Sequence, residues 1–88
     1  MILQLEEQLL DTIDQTVATA SDDELFAGGY LRGHISLAAA DCEYEAVSDV
    51  AVFKQKIEQS LADAQSELTP ADRVIVADMW NGLSKALA

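Results

Sequence analysis

Residues 21–43, SDDELFAGGYLRGHISLAAADCE, hold three of the four glycines, the only histidine, the only cysteine, a tyrosine and an arginine. Read as a loop, the run would be a crowded site. Read as a helix, it would be the central element of an all-α chain. Its first four residues favour the helix. Ser21-Asp-Asp-Glu24 has the form of a capping box, in which the serine hydroxyl takes the amide of Glu24 and the glutamate reaches back to the serine amide. Downstream, Leu25, Phe26, Gly29, Tyr30, Gly33, Leu37 and Ala40 recur at helical spacing, while Arg32, Ser36 and Glu43 fall elsewhere. Against this stands intrinsic propensity, since each interior glycine costs about 0.8–1 kcal/mol relative to alanine. Gly28-Gly29 is therefore a candidate kink or break, and the helix is expected to run to about Glu43.

The flanking segments carry the same period. On the N-terminal side, Ile2, Leu5, Leu9, Ile13, Val17 and Ala20 step by three and four, with Leu3 and Leu10 widening the stripe and Glu6, Glu7, Asp11 and Asp14 opposite. On the C-terminal side, YEAVS (44–48) breaks the pattern, and Ser48 or Asp49 can cap a third helix with apolar positions Val50, Phe53, Ile57, Leu61, Ala64 and Leu68. Thr69-Pro-Ala-Asp72 supplies a threonine cap, a proline at the first helical position and an acid at the third. The fourth helix then presents Val76, Met79, Trp80, Leu83 and Leu87, with Asn81-Gly82 as a turn-prone interruption. Four amphipathic helices on short connections predict an all-α domain over residues 1–88, a small antiparallel four-helix bundle. Surplus aliphatic positions at Leu3, Leu10, Leu31 and Ile35 leave room for a homodimer.

Charge narrows the function classes. Sixteen acids and five bases give −11, distributed unevenly. Residues 1–49 carry eleven acids against Arg32 alone, a balance of −10, whereas residues 50–88 balance to −1. Such a field repels phosphate backbones and anionic lipid surfaces, so the expected partner is a protein, basic in character, rather than nucleic acid or membrane. An acidic mimic of nucleic acid is a more remote form of the same reading. A lone Cys42 gives no intrachain disulfide and no Cys-x-x-Cys spacing, and the interrupted apolar pattern of MILQLEEQLLDTID is not that of a signal peptide. The expected compartment is the cytoplasm.

No complete catalytic or metal set emerges. His34 has Tyr30 one turn before it, yet a catalytic pair would need a cavity and a carboxylate to fix the imidazole. A histidine satisfied by a neighbouring helix is the plainer reading. Leu31 stands where a Glu-x-x-His metal motif would need its glutamate, and Glu7, Asp11 and Asp14 read as a solvated face, so neither metal nor cofactor is expected. Cys42 lies among Asp41, Glu43 and Glu45, which disfavour a thiolate. Gly29 and Gly33, four apart, suggest a groove for close helix approach. Trp80 is expected in the core, its indole N–H in need of an acceptor.

The stretch SDDELFAGGYLRGHISLA together with TPADRVIVADMWNGL resembles the YfcL family of small gamma-proteobacterial proteins. That resemblance implies an all-helical cytoplasmic protein and carries no catalytic residues or cofactor with it. Two readings of function follow from the residues. The first is a non-enzymatic interaction module presenting the acidic first half, or the surface of Asp22, Asp23, Tyr30, Arg32 and His34. The second is a small-ligand or minor enzymatic site at Tyr30, Arg32 and His34, weakened because Arg32 points about 160° away from the other two on a regular helix.

Overall fold

The computed structural model describes residues 1–87, and every regular element among them is helical. Four α-helices follow one another: α1 (Ile2–Gln15), α2 (Asp22–Tyr44), α3 (Val50–Ala64) and α4 (Pro70–Ser84). Short 3₁₀ turns at Val17–Thr19, Gln65–Glu67 and Lys85–Leu87 extend α1, α3 and α4. Pairs of residues in register fix the directions. Ile13 meets Gly28 while Ile2 lies near Cys42; His34 meets Ser60 while Glu45 meets Lys56; Glu58 meets Trp80 while Gln65 meets Arg73. Consecutive helices are thus antiparallel.

The long α2 is the hub. It packs closely against α1, α3 and α4, whereas α3 approaches the C-terminal end of the chain chiefly through the turn at Lys85–Leu87. Residues Ala27, Gly28, Leu31, Ile35, Ala38, Ala39 and Cys42 of α2 are buried, and they meet Leu9 and Ile13 of α1, Phe53 and Ile57 of α3, and Val76, Trp80 and Leu83 of α4 in one core. A helix flanked by three partners needs apolar or small residues around much of its circumference, which is why α2 shows a diffuse pattern rather than one narrow stripe.

Local chemistry sets the ends. Ser21 Oγ accepts the amide of Glu24 at 3.2 Å, and the Ser21 amide donates to Glu24 Oε1 at 3.1 Å, completing the capping box. Asp49 accepts from the amide of Ala51 at 2.8 Å and Thr69 from that of Asp72 at 3.2 Å. The C-terminus of α2 closes in a Schellman pattern: the Val47 amide donates to Cys42 O at 2.8 Å and the Ala46 amide to Glu43 O at 3.1 Å. Ala46 there adopts φ 57°, a left-handed position that glycine normally fills.

Three expectations change. The helix does not break at Gly28-Gly29; α2 is continuous and no glycine has positive φ. Packing on three sides offsets the propensity cost. The first helix ends at Gln15, before Val17 and Ala20, because Thr16 turns its hydroxyl (2.8 Å) and amide (3.2 Å) on the carbonyl of Ile13 and tightens the last turn. Val17 is left half exposed. Asn81-Gly82 does not end α4, since buried Leu83 and Leu87 hold the chain beyond it against the core.

Candidate functional site

The two faces of α2 separate the five residues singled out by sequence. Tyr30 and His34 lie one turn apart on the face toward α3, their ring centroids 4.6 Å apart and tilted by 49°. Phe26 continues the stack, 6.0 Å from Tyr30 at 28°. His34 Nδ1 and Ser60 Oγ of α3 share a hydrogen bond at 2.6 Å, its donor set by the imidazole tautomer. His34 is thereby a residue satisfied by a neighbouring helix. The shallow groove beside it is lined also by Leu37, Asp41, Lys56 and Asp63.

Arg32 faces the other way. Its Nε donates to Asp14 Oδ1 at 2.9 Å and its Nη2 to Asp14 Oδ2 at 2.6 Å, a two-pronged tie between α2 and α1. The guanidinium holds the Asp14 carboxyl below the usual aspartate range, and the carboxylate raises the arginine in turn. Tyr30, Arg32 and His34 therefore do not converge, because the continuous α2 turns Arg32 toward α1 and His34 toward α3. Asp22 and Asp23 are exposed in the first turn of α2, where the helix dipole suits them. Beside them Leu25 and Phe26 are 43% and 41% exposed.

Gly29 and Gly33 border open space rather than a close-packed helix; the close approach is at Gly28, where an added Cβ would meet Ile13 Cγ2 at 2.9 Å. Cys42 is fully buried, and burial first, then the charges of Glu45 and Asp41, push its thiol up despite the nearby Lys56. Such a thiol is a poor nucleophile. Among the described residues no three His, Cys, Asp or Glu side chains come together as a metal site, and no helix is long and apolar enough to cross a membrane.

One feature escaped the sequence reading. Between α3 and α4, over Tyr30, lies a cavity of about 320 Å³ whose walls include Leu61, Leu68, Val76 and Trp80. Trp80 finds its acceptor here, the indole N–H donating to Glu58 Oε2 at 3.0 Å. The hydroxyl of Tyr30 is buried without a hydrogen-bond partner. Burial, helped by the charge of Glu67, raises the phenol above its ordinary range, so it is neutral near pH 7. The usable clue was Trp80, whose indole N–H required an acceptor, although the helical pattern did not say which residue supplies it.

Fold and surface define a small acidic all-helical domain organised around one long central helix. Comparison with known proteins places it further: the family model for "YfcL protein" matches residues 3–85, and the uncharacterized protein YfcL of Escherichia coli (strain K12) is 45% identical over 85 residues, covering 94% of this chain and 92% of that protein. The chain belongs to the YfcL family. No solved structure matches it.

Proposed function

We propose that the protein is a non-enzymatic interaction module that offers the acidic surface of α1 and the N-terminal part of α2 to a basic protein partner. The observation that carries this reading is the uncompensated charge of the first half. Glu7, Asp11, Asp22, Asp23 and Glu24 are all exposed, and Arg32, the sole base among residues 1–49, is already engaged by Asp14. Leu25 and Phe26, exposed beside Asp22 and Asp23, add apolar contact area within a charged rim, which is the usual composition of a specific interface. Charge of one sign steers a partner of the other and disfavours wrong ones.

The test is affinity capture at low and high salt, with an equally acidic unrelated protein as control. A partner specific to the wild type, released by salt and lost by the doubly substituted Asp22→Lys/Asp23→Lys variant and by Phe26→Ala, is the expected result. Equal recovery by these variants, with helicity intact by circular dichroism, would remove this surface from consideration. Substituting Arg32 would be a poorer probe, because it opens the tie to Asp14.

A further inference from the structure

α3 and α4 each pack on α2 rather than closely on each other, which leaves the groove of about 320 Å³ between them. Its centre is apolar. Leu61 and Leu68 are partly buried on the α3 side, Val76 and Trp80 form the α4 wall, and Ala62 and Ala77 are exposed on the rims. Val74, three residues before Ala77 and so on a neighbouring part of the same helix surface, is 59% exposed. The two charges that line the groove stand at its opposite ends. Glu58 is level with Trp80, whose indole N–H donates to its Oε2 at 3.0 Å, and Arg73 is level with Gln65, whose carbonyl accepts from its Nε at 2.8 Å. These two pairs lie seven residues apart along both helices, about 10 Å. Both charged side chains are exposed, and the two bonds leave Glu58 Oε1 and the terminal nitrogens of Arg73 for a further partner.

We propose that this groove is the contact surface of a two-fold symmetric dimer, occupied by the α3–α4 face of a second copy of the chain. Charge selects that occupant. The chain carries −11, so two copies repel over most of their surface, yet the groove lining holds one acid and one base and sums to zero. Its polarity is also self-complementary. A two-fold axis lying in the contact plane and across the middle of the groove exchanges its ends, setting the Glu58 end of each copy against the Arg73 end of the other. An apolar centre between charged ends is the composition of a specific interface. The aliphatic surplus that the sequence offers to a dimer does not serve, because Leu31 and Ile35 are fully buried in the core of a single copy. None of Glu7, Asp11, Asp22 and Asp23 lines the groove, so the dimer leaves these acids available to a basic partner.

Sedimentation equilibrium at protein concentrations from about 1 μM to 1 mM, which spans weak to moderate association, is expected to show a reversible monomer–dimer equilibrium. Ala77→Arg, which puts bulk and charge on the rim, is expected to weaken it roughly tenfold or more. Glu58→Arg gives each copy a base at both ends of the groove, and Arg73→Glu gives it an acid at both. Because the symmetry repeats every contact, either reversal is also expected to weaken self-association roughly tenfold or more. Mixed in equal amounts, the two reversed proteins are complementary at both ends, and the mixture is expected to recover a heterodimer of close to wild-type affinity. That recovery shows as well that Glu58→Arg, which gives up the bond to the Trp80 indole, has kept its fold. A monomer at every concentration overturns the proposal, whether the groove is then open or taken by a different protein or a small apolar molecule. A dimer indifferent to both reversals and to Ala77→Arg overturns it too, since the contact would lie on another face, as does a mixture that stays monomeric while both variants keep native helicity by circular dichroism. The Asp22→Lys/Asp23→Lys variant is expected to remain dimeric, so its loss of partner capture bears on the acidic surface alone.

Discussion

A methyl group added at Gly28 would sit 2.9 Å from Ile13 Cγ2, and at an ordinary 3.9 Å from Met79 Sδ, so this one position sets how closely α1 approaches α2. Ile13 is buried and its Cγ2 is a β-branch, which cannot swing aside as the end of a long side chain could. Gly28→Ala therefore trades a helix-propensity gain of about 0.8–1 kcal/mol against an overpacking cost of about 1–3 kcal/mol, and is expected to lower the melting temperature. Gly29→Ala and Gly33→Ala meet nothing within 4 Å and should keep the gain, raising it by roughly 4–8 °C per kcal/mol in a domain of this size. Thermal melts of the three variants check the opposite signs. The sequence showed small residues at helical spacing but pointed to Gly29 and Gly33, because spacing alone does not say which side of α2 receives α1. Trp80 shows the same limit: its need of an acceptor was legible, whereas Glu58 as that acceptor depended on how α3 and α4 are rotated.

At the level of the elements, the starts of α2, α3 and α4 were the most legible features, since each rests on a side chain and an amide two or three residues apart. Ser21, Asp49 and Thr69 all cap as their local sequences imply. Helix ends were harder to read. The retreat of α1 to Gln15 depends on a threonine hydroxyl competing for one carbonyl, and the continuity of α4 through Gly82 depends on core contacts of Leu83 and Leu87. The end of α2 is the most informative case, because Ala46 occupies a left-handed conformation without being glycine. That conformation costs an L-residue roughly 1–2 kcal/mol, while glycine raises the entropy lost on folding by about 0.4–1 kcal/mol. Relief of the first exceeds the second. Ala46→Gly is expected to stabilise the protein by about 0.5–1 kcal/mol, measurable as a higher urea midpoint at unchanged m-value.

Across the whole molecule, charge and topology oppose one another at the α1–α2 seam. The −11 charge is concentrated where these two helices pack, and the Arg32–Asp14 pair spans eighteen residues of sequence to join them. Exposed ion pairs contribute little on average, yet this one is two-pronged and stands in a field of like charges, where the arginine is the single local counterweight. Its pH dependence follows from the sign of the shifts. Asp14 in the folded chain titrates below its ordinary value, so the folded state binds fewer protons than the unfolded state across the acid range. Stability from the pair is present above the unfolded aspartate value near 3.8 and is lost as pH falls through the lower folded value. Wild type and Arg32→Gln should therefore differ most near neutral pH and low salt, with the wild type more stable. The gap should shrink with added salt, which screens exposed charge, and close as the solution is acidified past the Asp14 titration. Urea unfolding of both proteins at neutral and acid pH measures that gap directly, and a difference that stayed constant down to full protonation of Asp14 would assign the effect to the packing of the arginine stem instead of its charge.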